Sequence, residues 1–121
     1  MRQKHAILWF SAAGVIGALF GIVYAFFGLA ILPVSKDVLG PWSNGVYGAT
    51  LIGLSVTMFF VGRHAFREND TALMKALLYG VCAWLTVEAI FSLYYRVFFN
   101  VGVDVALLVL LGVPLARGAR R

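Results

Sequence analysis

Hydrophobic positions along this chain fall into four long runs separated by short polar or charged punctuation. The runs predict helices over about 6–32, 45–62, 71–96 and 98–116. The apolar stretches within them measure roughly 40, 25, 37 and 24 Å at 1.5 Å per residue. A hydrocarbon core is about 30 Å thick. The first and third runs are long enough to cross with tilt, while the second and fourth are marginal without their flanking residues. No run alternates apolar with polar positions, so a β-barrel is excluded. Helices are the remaining way to satisfy a backbone in lipid.

The punctuation adds detail. Gly40-Pro41 and Asn44-Gly45 are turn signals that place 40–44 in a loop. Asn69-Asp70-Thr71 offers an N-cap to the third helix. The links after helices two and three are short, and helices so joined pack antiparallel. The expected fold class is therefore all-α membrane, an antiparallel up-down bundle of four transmembrane helices forming a single domain over 1–121. The first run exceeds the roughly 7–15 residues of a signal-peptide core, so a retained helix is expected.

Composition agrees: of 121 residues, 62% are hydrophobic and 12% charged. Soluble domains are about half apolar and a quarter charged, so lipid must cover much of this surface. The net charge of +5 sits at the ends of the runs, the signature of topology rather than of nucleic-acid binding. With the N-terminus inside, Arg2, Lys4, Arg63, Arg67, Lys75, Arg117, Arg120 and Arg121 are internal, and Lys36 and Arg96 external. That bias places both termini in the cytoplasm, and the expected location is a bacterial or archaeal plasma membrane. Trp9 and Trp42 suit the two interfacial belts. The basic tail from Arg117 to Arg121 suits anionic head groups as well as topology.

Two acids interrupt the apolar runs: Glu88 in the third and Asp104 in the fourth. Charge within a bilayer costs several kcal/mol, so such residues face the bundle interior and find partners. Gly80, Trp84, Glu88, Ser92 and Arg96 recur every four residues and form one stripe. Asn100 and Asp104 form a similar pair on the next helix. Tyr24, Tyr47 and Thr50 fall in the same outer half. These residues suggest a polar outer-half cavity for a proton, a cation or the polar head of a small amphiphile, because two neighbouring carboxyls cannot both ionise easily. The alternative is a structural ion pair of Arg96 with Glu88 or Asp104.

Other features are less specific. Gly14, Gly17 and Gly21 give helix one a small-residue stripe, which serves packing within the bundle or, alternatively, homodimerisation or docking on a larger membrane complex. Cys82 is a lone apolar filler. His5 and His64, with only Glu68 nearby, are too few for a metal site. No nucleophile elbow, phosphate loop or redox thiol pair is present, so no enzyme chemistry and no cofactor are expected. Small multidrug exporters match in size but keep their glutamate in the first helix. Fluoride channels match too, but their phenylalanine-rich third-helix motif is absent here.

Pro33 after the first helix, Tyr47-Gly48 with Leu51 and Gly53 opening the second, and Asp104 in the fourth together carry a resemblance. On these residues the chain resembles small four-helix membrane proteins related to the DoxX group. Members often carry an arginine just before the Tyr-Gly pair, where this chain has Ser43-Asn44-Gly45-Val46. The resemblance implies a four-helix fold and little about activity. The expected role is that of an accessory or assembly subunit or a small-ligand binder, with a dimeric proton- or cation-coupled transporter as the alternative.

Overall fold

A computed structural model describes residues 3–28 and 32–121, without the side chains of residues 3, 6, 7, 9–11, 13, 14 and 17. Trp9, Gly14 and Gly17 therefore lie outside the described side chains, and Arg2 outside the described residues. Four helices follow in order: α1 (Gln3–Phe27), α2 (Lys36–Arg67), α3 (Thr71–Tyr94) and α4 (Phe98–Ala119). No strand occurs among the described residues. Helices α2, α3 and α4 are each long and apolar enough to cross a membrane. Large apolar side chains stay exposed along them, among them Ile52, Phe60, Ile90 and Leu110, as expected where lipid rather than water is the solvent.

The boundaries depart from the hydrophobic pattern for local reasons. Helix α1 stops at Phe27 rather than near residue 32, because Gly28 takes the left-handed conformation (φ 74°) and returns its N–H to the Tyr24 carbonyl at 3.2 Å. That is an αL C-cap, which glycine adopts without steric cost. Helix α2 begins nine residues before the expected start at 45, so the expected loop over 40–44 is helical. The Ser35 carbonyl accepts from the N–H groups of Val38 and Leu39 at 3.1 and 3.0 Å, and Asp37 favours the positive helix start. Pro41 costs the helix one hydrogen bond in its second turn. Ser43 Oγ donates to the Gly40 carbonyl at 2.9 Å. At 32 residues α2 extends roughly 48 Å and is not marginal. Helix α4, expected to end at 116, continues through Pro114 to Ala119 and measures roughly 33 Å.

The chain divides into two units, residues 1–48 and 49–121. The division falls within α2, just after Gly45 and Gly48. The first unit holds α1 and the start of α2. The second holds the rest of α2 with α3 and α4, and two tight turns shape it. After α2, Asn69 is left-handed (φ 53°); the Asp70 N–H reaches the Ala65 carbonyl at 2.9 Å, and the Asn69 N–H that of Phe66 at 3.4 Å. This is a Schellman motif. Asp70 then caps α3, its carboxylate accepting from the Leu73 N–H at 2.9 Å, as Asn69-Asp70-Thr71 predicts.

The second Schellman motif ends α3. Here Arg96 is left-handed (φ 60°), Val97 N–H bonds Ser92 O at 2.8 Å, and Arg96 N–H bonds Leu93 O at 3.1 Å. Helices α3 and α4 then fold back on each other. Met74 lies against Gly118, Leu78 beside Gly112, and Ser92 against Asn100. Ala65, Met74, Val81, Leu85 and Leu115 form the buried core of this unit. Between membrane helices such contacts act through close van der Waals packing. Gly112 and Gly118 are the buried positions that allow it.

Candidate functional site

The α3–α4 turn aligns the polar residues of the two helices. Ser92 sits two residues before the end of α3, and Asn100 two residues after the start of α4. Glu88 and Asp104 are each six residues from those same ends, about 6 Å deeper along the helix axis than Ser92 and Asn100. The amide and hydroxyl thus form a tier nearer the turn, with a tier of carboxyls beyond it.

One side chain joins the tiers. Asn100 Nδ2 donates to Ser92 Oγ at 2.8 Å, to Glu88 Oε1 at 3.3 Å and to Asp104 Oδ2 at 3.4 Å. Its two N–H groups serve three acceptors, so at least one bond is shared. Asp104 is 2% exposed, and its second oxygen, Oδ1, is buried without a hydrogen-bond partner. Buried polar atoms in native structures nearly always have partners. An orphaned carboxyl oxygen beside a second carboxyl is therefore the chemical signal of this site: it asks for a proton or a cation.

The remaining candidate residues are placed differently. Arg96 is exposed in the turn, and among the described residues it makes no ion pair with either acid. Its left-handed backbone belongs to the C-cap of α3, which fixes where its side chain starts. Tyr24 and Tyr47 belong to the first unit and are both exposed; the Tyr24 ring lies 6.2 Å from that of Phe20. Thr50 is an exposed residue near the start of the second unit. Gly21 opens onto free space, with nothing within 4 Å of where a Cβ would sit. Among the described residues, no group of three or more His, Cys, Asp or Glu side chains is placed to hold a metal ion.

The second unit also holds a feature that residue patterns did not disclose. A cavity of about 810 Å³ runs along α2 from Leu51 to Arg67, bounded by Trp84 of α3 and by α4 from Leu107 to Leu115. Neither Glu88 nor Asp104 lines it. Its walls are largely apolar, with Ser55 towards the Leu51 end, and its charged groups, Arg63 and Arg67, lie towards the other. In sequence most of these positions read as members of apolar runs, Arg63 and Arg67 as topology-setting charges, and Trp84 as part of the Glu88 stripe.

No protein-family model matches the chain, and no curated protein and no solved structure matches it either.

Proposed function

We propose that this chain is a small integral membrane protein of four antiparallel crossings, with both termini cytoplasmic, that binds a proton or a small monovalent cation between α3 and α4. The observation that carries the reading is the buried, unpartnered Oδ1 of Asp104 within the network of Glu88, Ser92 and Asn100. A charge at that depth costs several kcal/mol unless it is compensated. The donor side chains of this network, the Asn100 amide and the Ser92 hydroxyl, are both neutral. A bound proton or cation supplies the compensation the network lacks. Asn100 orients both carboxyls, and Ser92 adds a hydroxyl ligand on the side of the turn.

The test uses full-length protein in mild detergent, with thermal stability followed against sodium, potassium and lithium at fixed ionic strength, and carboxyl protonation followed by infrared difference spectroscopy across pH. A ligand that binds only the folded state raises stability with concentration. The expected result is a saturable response to one cation, or to protons alone, that Asp104→Asn and Asn100→Leu abolish and Ser55→Ala leaves intact. If folded Asp104→Asn protein responds as the wild type does, the reading fails. The same variants in sealed vesicles separate a resident ligand from a transported one: proton or cation flux that requires Glu88 and Asp104 supports the dimeric coupled transporter. Stable co-purification with a larger complex, without ligand response, supports the accessory-subunit role.

A further inference from the structure

The apolar cavity of the second unit lies apart from the carboxyl network, and its chemistry is different. It extends along α2 for roughly 24 Å from Leu51 to Arg67. Its volume of about 810 Å³ is within the 300–1,000 Å³ typical of small-molecule sites. Met58, Trp84 and Leu111 form its walls, and among the described residues the charged groups lining it are Arg63 and Arg67. These two guanidinium groups are one helical turn apart, both exposed, and make no ion pair among the described residues. The Arg63 guanidinium lies over the Phe59 ring, 4.9 Å from its centroid. That contact orients the group and leaves its N–H fork available to an anion.

We infer that this cavity is a binding groove for a phospholipid with an anionic head group. The phosphate sits between Arg63 and Arg67, and an acyl chain lies along the groove towards Leu51. Charge complementarity decides for a lipid over the other occupants. α1 contains no acidic residue, and its charged start, Lys4 and His5, is basic. A second copy brings few acids: the chain holds five, of which Asp70 caps α3 and Glu88 and Asp104 are in the carboxyl network. Lys75, at the start of the second turn of α3, and Arg117, in the last turn of α4, add positive charge at the same end of the unit, where Phe66 and Met74 meet Gly118, and with Arg63 and Arg67 they outnumber the acids there, Glu68 and the capping Asp70. An anionic lipid satisfies both parts of the groove, and Arg recognises phosphate in bidentate fashion.

Native mass spectrometry of the full-length protein, released from detergent with equimolar phosphatidylglycerol and phosphatidylcholine, tests the assignment. The wild type is expected to retain phosphatidylglycerol selectively. Each arginine in direct contact with the head-group phosphate contributes about fivefold to retention, so Arg63→Gln with Arg67→Gln lowers it about 30-fold. The matched double change Arg120→Gln with Arg121→Gln removes the same charge from the tail and is expected to leave most of the retention. Ser55→Trp, at an exposed position on the groove wall, is expected to reduce retention with every arginine in place. Equal losses in the two arginine doubles mean bulk charge attraction and overturn the inference. Inorganic phosphate that binds with the same arginine dependence but no sensitivity to Ser55→Trp means a phosphate site, and also overturns it. A lipid-free dimer as the main wild-type species, dissociated by Arg63→Gln with Arg67→Gln or by Ser55→Trp, would assign the groove to a second copy instead.

Discussion

Gly118 is where three helix ends converge, and replacing it with alanine tests that convergence directly. A Cβ at this position meets the sulfur of Met74 and comes within 3.1 Å of the Phe66 ring edge. Met74 is 1% exposed, so its thioether end must repack within the core to make room. Overpacking of this kind costs about 1–3 kcal/mol. Alanine in place of glycine returns up to about 1 kcal/mol of helix propensity, and less in a final turn. Gly118→Ala is therefore expected to destabilise the fold by about 1–2 kcal/mol. The assay is reversible unfolding of the purified protein in mixed micelles by titration with SDS, followed by circular dichroism. The decisive measurement is the double-mutant cycle with Met74→Ala. Met74→Ala alone leaves a void and is expected to cost about 2–5 kcal/mol. In that background the new methyl has room, so Gly118→Ala becomes neutral or mildly stabilising. If the substitution has the same effect in both backgrounds, the three helix ends do not meet at Gly118.

Two further outcomes follow from the turns. Arg96→Gly is expected to stabilise the protein by about 0.5–1 kcal/mol in the same titration, because a left-handed L-residue costs roughly 1–2 kcal/mol and glycine surrenders part of that gain in the unfolded chain. Arg96→Lys should change nothing; an equal gain from lysine would show that the backbone conformation is not the cause. Asp70→Ala removes the N-cap of α3 and is expected to cost about 1 kcal/mol, with faster amide exchange confined to Leu73 and its neighbours. Unchanged exchange there would refute the capping role of the carboxylate.

The hydrophobic pattern located all four helices because lipid-facing and packed positions are both apolar, and only the punctuation is polar. Asp70 was legible for the same reason: a short acid between two runs has one obvious use. Turn signals misled at 40–44. Pro41 and the glycines around it lower helix propensity, but Ser35 and Asp37 supply a stronger start five residues earlier, and tertiary context tolerates one missing hydrogen bond. The acids could be matched in depth by counting along two helices joined by a tight turn. The conformation of Arg96 could not be read that way. Nothing marks an arginine as left-handed, so the sequence leaves open an ion pair of Arg96 with Glu88 or Asp104, while the turn leaves Arg96 exposed. The groove was hidden because its walls use the residue types that lipid contact also demands.

The carboxyl network has a consequence for how the protein is made. Its donor, Asn100, and one acid, Asp104, are on α4, while Glu88 and Ser92 are on α3. During synthesis α3 emerges first and presents Glu88 with no amide to meet it. A lone acidic residue in an apolar segment weighs against its release into lipid by a few kcal/mol. Twelve residues of further chain bring Asn100 out, after which each helix shields the polar stripe of the other. The favourable unit of insertion is thus the hairpin rather than either helix, and a nascent chain halted with α3 but not α4 clear of the ribosome would hold α3 at the membrane's threshold.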